Sequence, residues 1–127
     1  MKISKETYQR LLNNSINVKQ NKYRNKKVVY NGIKFDSKKE MNYYIKLKML
    51  EKAGKIKDLR LQVPFVVLET FKLNDKTYKK TKYIADFTYY DKEGKYHVVD
   101  TKGVRTDVYK LKKKLMAWKY GIEIEEI

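Results

Sequence analysis

Tyr83-Ile84-Ala85-Asp86-Phe87 and Val98-Val99-Asp100-Thr101-Lys102-Gly103 decide how this sequence is read. Each run lies in a β-prone segment, about 82–91 and 95–102, and Lys92-Glu93-Gly94 joins the two. If Gly94 takes the left-handed position of a three-residue loop, Asp91 pairs with Lys95. That register sets Asp86 opposite Asp100, with Cβ atoms about 4.5–5.5 Å apart. Alternation along the strand puts Lys102 on the same face as Asp100. A two-residue loop would send the two aspartates to opposite faces, so the turn carries the inference.

Two carboxylates facing each other between apolar strands repel, and desolvation sharpens the conflict. A hard divalent cation resolves it. Mg2+ (or Mn2+) takes oxygen ligands and commonly binds through one or two carboxylates plus a substrate phosphate. Lys102 on that face would orient water and steady charge on a phosphoryl centre. The plainer reading is a set of ion pairs on a solvated face, and an isolated Asp-x-Lys triplet is common in a lysine-rich chain.

Working outward, Val28 to Phe35 around Asn31-Gly32 predicts a hairpin with a type I′ turn. Ser37-Lys38-Lys39-Glu40 reads as a capping box opening a helix that carries Met41, Tyr44, Ile45, Met49 and Leu50 and stops at Gly54. Glu40 has two competing readings, the N3 member of that box or a third acid reaching a metal. Residues 61–70 read as a strand whose Pro64 suggests an edge, and residues 71–81 read as polar and turn-like. Thr106 or Asp107 caps a second helix over 107–120. Val108, Leu111, Leu115 and Trp118 are its expected core face, and Gly121 ends it. A last strand covers 122–126. Residues 4–17 suggest a short helix with Leu11, Leu12 and Ile16. The order predicts a mixed α/β fold, with helices on a central sheet over 28–127 and a basic N-terminal arm over 1–27.

Composition narrows the function classes. The chain has 127 residues, with 31 Lys+Arg against 15 Asp+Glu, a formal charge of +16. Cysteine is absent and there is one histidine, His97, so thiolate zinc sites and two-histidine metal motifs are excluded. His97 falls on the face opposite Asp100 and reads as packing or surface. No Gly-x-x-x-x-Gly-Lys loop indicates nucleotide-driven chemistry. No apolar run reaches the roughly 20 residues that span a bilayer, and cysteine usage fits a reducing, cytoplasmic setting. Residues 1–34 hold nine Lys/Arg against Glu6 alone. A polyanion is the partner such clustering suits, and DNA is the expected one. A membrane surface would want a basic amphipathic helix with apolar residues opposite, which is not seen outside the core helices. Lys22, Arg24, Lys26 and Lys27 in the arm, and Arg105, Lys110, Lys112 and Lys113 around the second helix, are the candidate phosphate contacts. Gln62, ahead of an apolar strand, either touches the site or makes a strand-edge hydrogen bond.

Glu40 in Phe35-Asp36-Ser37-Lys38-Lys39-Glu40, then Asp86, then Asp100-x-Lys102 resembles the PD-(D/E)xK nuclease pattern. Gly54, Ile56, Leu59, Gln62, Tyr83-Ile84-Ala85-Asp86-Phe87, Val99-Asp100-Thr101-Lys102-Gly103 and Thr106 to Lys114 extend the likeness over residues 22–127. The resemblance is to small phage-encoded proteins of that superfamily related to Holliday-junction resolvases. It implies a restriction-endonuclease-like core and metal-dependent cleavage of branched DNA by a homodimer. It also implies metal ligation by Glu40, Asp86 and Asp100, with Lys102 assisting catalysis. Ala85 stands where the superfamily name has proline. Asp100 in place of Glu shortens the second acid's reach by one methylene. A non-catalytic nucleic-acid-binding protein and a sequence-specific restriction-type nuclease are the other functions compatible with these residues.

Overall fold

Residues 27–102 and 104–127 are described by a computed structural model. The expected N-terminal helix and most of the basic arm, including Lys22, Arg24 and Lys26, lie outside the described residues. The chain is a mixed α/β protein that divides into two compact units, Met1–Leu47 and Lys48–Ile127.

In the first unit, strands β1 (Val28–Tyr30) and β2 (Ile33–Phe35) form the expected hairpin. Asn31 and Gly32 both hold positive φ, 52° and 75°, which is what a type I′ turn requires. Helix α1 (Lys38–Lys52) follows, and the boundary between units falls within it. The Ser37 hydroxyl accepts from the Glu40 amide at 3.1 Å, as a capping box predicts. The glutamate reaches back one residue further than expected, and Glu40 Oε1 accepts from the Asp36 amide at 3.0 Å. Tyr44 and Leu47 are the buried apolar positions, and the Phe35 and Tyr44 rings lie 5.2 Å apart. Met49, expected to be inside, is exposed. Gly54, in the second unit, is left-handed at φ 76° and ends the helix as read.

The second unit is built on a four-stranded mixed sheet. Its strands are β3 (Ile56–Leu68), β6 (Thr81–Asp91), β7 (Tyr96–Asp100) and β8 (Glu125–Glu126), neighbours in that order. The first three pair antiparallel, and β8 runs parallel to β7. Pro64 sits on β3, at the sheet edge, where a missing amide is tolerated. Residues 71–81, expected to be a turn, instead form a separate ribbon of β4 (Phe71–Leu73) and β5 (Lys76–Tyr78). Asn74 and Asp75 supply its two left-handed turn positions without a glycine.

The β6–β7 turn closes as predicted. Gly94 is left-handed at φ 85°, and the Asp91 amide donates to the Lys95 carbonyl at 2.9 Å. Phe87 faces Val99 and Tyr90 faces Tyr96, which is the three-residue-loop register. His97 ties three strands together. Its ring stacks on Tyr89, Nε2 meets Asp91 at 2.8 Å, and Nδ1 meets Glu125 at 2.5 Å. Burial pulls the imidazole pKa down, but the two carboxylates outweigh it and the net shift is upward.

Helix α2 (Asp107–Tyr120) has the expected ends. Thr106 accepts from the Tyr109 amide at 3.1 Å, and Gly121 is left-handed at φ 66°. Its inward face differs from the sequence reading. Tyr109 and Met116 are buried with Val67, Tyr83, Ala85, Val98 and Ile124, while Val108, Leu111 and Trp118 are exposed. Leu115 is half-buried at the core's margin. The stripe through Tyr109 wins because the phenol can be satisfied at depth. Its hydroxyl donates to Glu126 at 2.7 Å, and an aromatic with a satisfied polar tip brings more buried area than a valine. Among the described residues no helix is long and apolar enough to cross a membrane.

Candidate active site

The two aspartates of β6 and β7 meet where the β6–β7 ladder ends. Paired residues stop at Phe87 and Val99, and Asp86 and Asp100 are the next residues of the two strands. The negative charge of Asp86 disfavours ionisation of the neighbouring Asp100. Asp100 is 2% exposed. Its Oδ2 accepts from the Tyr83 hydroxyl at 2.5 Å, and its Oδ1 lies 3.2 Å from Lys102 Nζ. Burial pushes its pKa to about 6, and Asp86 adds to the rise against the pull of Tyr83 and Lys102. Tyr83 is itself shifted upward, first by burial and then by donating to Asp100, so it stays protonated as a fixed donor.

Asp86 is held from two sides. Oδ2 accepts from both the amide and the hydroxyl of Thr101 at 2.8 Å, and Oδ1 accepts from Gln62 Nε2 at 3.3 Å. On β3, Leu61 pairs with Phe87 and Val63 with Ala85, which sets Gln62 across from Asp86. Gln62 holds φ 53° in mid-strand, a left-handed conformation that costs a side-chain-bearing residue about 1–2 kcal/mol. Strain of this kind persists where surrounding contacts fix it, and it concentrates at functional positions. Lys102 Nζ lies 4.3 Å from the centre of the Tyr109 ring, which supports the ammonium beside Asp100.

Of the residues singled out from sequence, Asp86, Asp100, Lys102 and Gln62 therefore come together. Glu40 belongs to the first unit. It is 3% exposed, and its carboxylate accepts the Asp36 amide. Among the described residues no three of His, Asp and Glu gather in a metal-holding group. Glu126 is the register partner of Asp100 on β8, but three other groups engage it. Arg105 contacts it at 2.7 Å, Lys113 at 3.0 Å and the Tyr109 hydroxyl at 2.7 Å. These partners, Arg105 foremost, hold its pKa down at about 2. Arg105 and Lys113, expected on phosphates, are thus drawn to Glu126. Lys27 pairs with Asp36 at 2.9 Å, Lys110 is exposed and Lys112 half-buried.

Tyr83, Thr101 and Tyr109 were not read from the sequence as parts of the site. A signal for the first was present: an aspartate set after Val98-Val99 needs a neutral donor as well as a lysine.

The chain is a mixed α/β protein that places two neighbouring aspartates and an adjoining lysine where its β6–β7 ladder ends. The chain belongs to a family described as "Protein of unknown function (DUF1064)", whose model matches residues 20–125. Neither the curated proteins nor the solved structures gave a match.

Proposed function

We propose that this chain is a metal-dependent DNA endonuclease that hydrolyses phosphodiester bonds, structure-specific for branched DNA, on a restriction-endonuclease-like core. The observation that carries this reading is the Asp86–Asp100 pair with Lys102 on Asp100 Oδ1. The residues suit Mg2+ or Mn2+. Two hard oxygen donors are neighbours on adjoining strands, and burial together with the Asp86 charge disfavours the ionised form of Asp100, a conflict that a cation relieves. A cation there would polarise a phosphoryl oxygen and make bound water a stronger nucleophile at neutral pH. Asp86 and Asp100 would hold it. Thr101 and Gln62 fix the aim of Asp86, and Tyr83 fixes Asp100. Lys102 orients the attacking water and offsets the charge that builds on the phosphoryl oxygens. The proposal is carried by the second unit alone, and the net charge of +16 supports a polyanionic substrate.

The test is incubation of the purified chain with a four-way junction, a flap and linear duplex, each with Mg2+ and with EDTA. Products at the branch with Mg2+ and none with EDTA are expected. Binding that falls steeply with salt, with no product in any divalent ion, would mean a non-catalytic binding protein. A fixed cut sequence on linear duplex would mean a restriction-type enzyme. Lys102→Met is expected to retain affinity and lose about 10²–10⁴-fold in turnover. Equal loss of both would make Lys102 a phosphate contact only.

A further inference from the structure

The β4–β5 ribbon is unlike the rest of the second unit. Every residue from Leu68 to Lys80 is exposed, and Phe71, Leu73 and Tyr78 are 44%, 58% and 39% accessible. A two-stranded ribbon is marginal on its own, yet this one is tied at its base. The Lys80 amide donates to the Thr70 hydroxyl at 3.0 Å, Glu69 meets Lys119 of α2 at 2.8 Å, and the Tyr120 hydroxyl donates to the Val66 carbonyl at 2.6 Å. Phe71 and Tyr78 pair across the strands with rings stacked at 4.9 Å and 11°. Lys76 lies over Tyr78 at 5.3 Å. Register puts Phe71, Leu73, Lys76 and Tyr78 on one face and Lys72 and Thr77 on the other. Neither Lys72 nor Lys79 has an ion-pair partner among the described residues.

We infer that this ribbon enters the groove of a DNA duplex arm and grips it beside the carboxylate pair. The inference rests on the nucleic-acid reading above. A two-stranded ribbon fits the major groove, and a groove has phosphates on both walls, which suits lysines on both faces. The position agrees. Thr81 opens β6 and Asp86 lies five residues along it, about 17 Å at the usual strand rise. That is roughly five base pairs at 3.4 Å each, so a duplex lying along β6 meets both the site and the ribbon. An anionic lipid surface is the less suitable partner, because Asn74-Asp75 at the tip would have to enter it first.

The experiment is fluorescence anisotropy of the full chain on a labelled 30-base-pair duplex and on a four-way junction. It is run in EDTA from 50 to 300 mM salt, with circular dichroism as the folding control. The Lys72→Ala/Lys76→Ala/Lys79→Ala variant is expected to bind at least 10-fold more weakly. Its slope of log affinity on log salt should be smaller by about 2–3. Phe71→Ala/Tyr78→Ala is expected to lose about 10-fold with the slope unchanged, because the stacked pair shapes the ribbon and offers apolar contact in the groove without neutralising phosphates. Unchanged affinity and slope in both folded variants would overturn the ribbon's role and leave the nuclease reading standing. Failure of the unmodified chain to bind either DNA would overturn the nucleic-acid reading itself. Ribbon-dependent binding to phosphatidylserine vesicles, without ribbon-dependent DNA binding, would assign the ribbon to a membrane and overturn the inference.

Discussion

Asp100→Asn is expected to give a chain that melts at a higher temperature at pH 8 and cuts no DNA. In the metal-free protein the Asp100 carboxyl has a pKa of about 6 against an ordinary value of 3.8, because burial disfavours its charged form. A carboxyl whose folded pKa is raised binds its proton more tightly in the folded state. Its charge therefore opposes folding, with no effect below the unfolded pKa, a growing one between pH 4 and 6, and the full effect above. Two pKa units correspond to on the order of 3 kcal/mol. Asparagine keeps an oxygen for the Tyr83 hydroxyl and removes that charge, so the gain should be several degrees at pH 8 and vanish near pH 4. Cleavage should be lost while DNA affinity survives, since a cation ligand has gone and the basic surface has not. Thermal melts of both proteins from pH 4 to 8, with gel assays on the same samples, check this. An Asn variant less stable than the parent at pH 8 would show that Asp100 is a structural ion-pair partner of Lys102.

Met116→Ala and Trp118→Ala should differ in the direction opposite to their hydrophobicity on paper. Met116 is fully buried under α2, and truncation there should cost about 2–5 kcal/mol through lost burial and a residual cavity. Trp118 is 77% exposed, and its truncation should stay within about 0.5 kcal/mol. Urea melts of the two variants decide the matter. A large loss in Trp118→Ala with little in Met116→Ala would restore the face expected from sequence.

That helix shows where the sequence stops being informative. Val108, Leu111, Leu115 and Trp118 form the more apolar stripe, yet the sheet takes Tyr109 and Met116 with the stems of Lys112 and Lys113 half-buried beside them. Lysine stems cover apolar surface while their heads stay wet, and the Tyr109–Glu126 hydrogen bond depends on how the next element, β8, pairs with the sheet. Neither shows in a local pattern. The β4–β5 ribbon is hidden in the sequence for another reason. Phe-Lys-Leu and Lys-Thr-Tyr do alternate, but Asn74-Asp75 is a weaker hairpin signal than Asn-Gly. The parallel pairing of β8 has no local signature.

The carboxylate pair was legible because everything that sets it is local. Gly94 fixes a three-residue turn, the turn fixes the register, and the register brings Asp86 to Asp100. Lys102 follows from strand alternation. The donors around the pair were not legible as a set. Tyr83 and Thr101 needed the end of the ladder at Phe87 and Val99 to become reachable. Gln62 was a candidate on position alone, and its mid-strand left-handed backbone is a feature no sequence pattern announces.

The most direct measurement is a Mn2+ titration followed by electron paramagnetic resonance, on the unmodified chain at pH 8 and on Asp86→Asn. The unmodified chain is expected to take Mn2+ out of the free signal, and Asp86→Asn to weaken this at least 10-fold. Glu125→Gln, on the His97 cluster, should leave it unchanged. Equal Mn2+ uptake by all three proteins would contradict the claim that the two strand aspartates hold the cation.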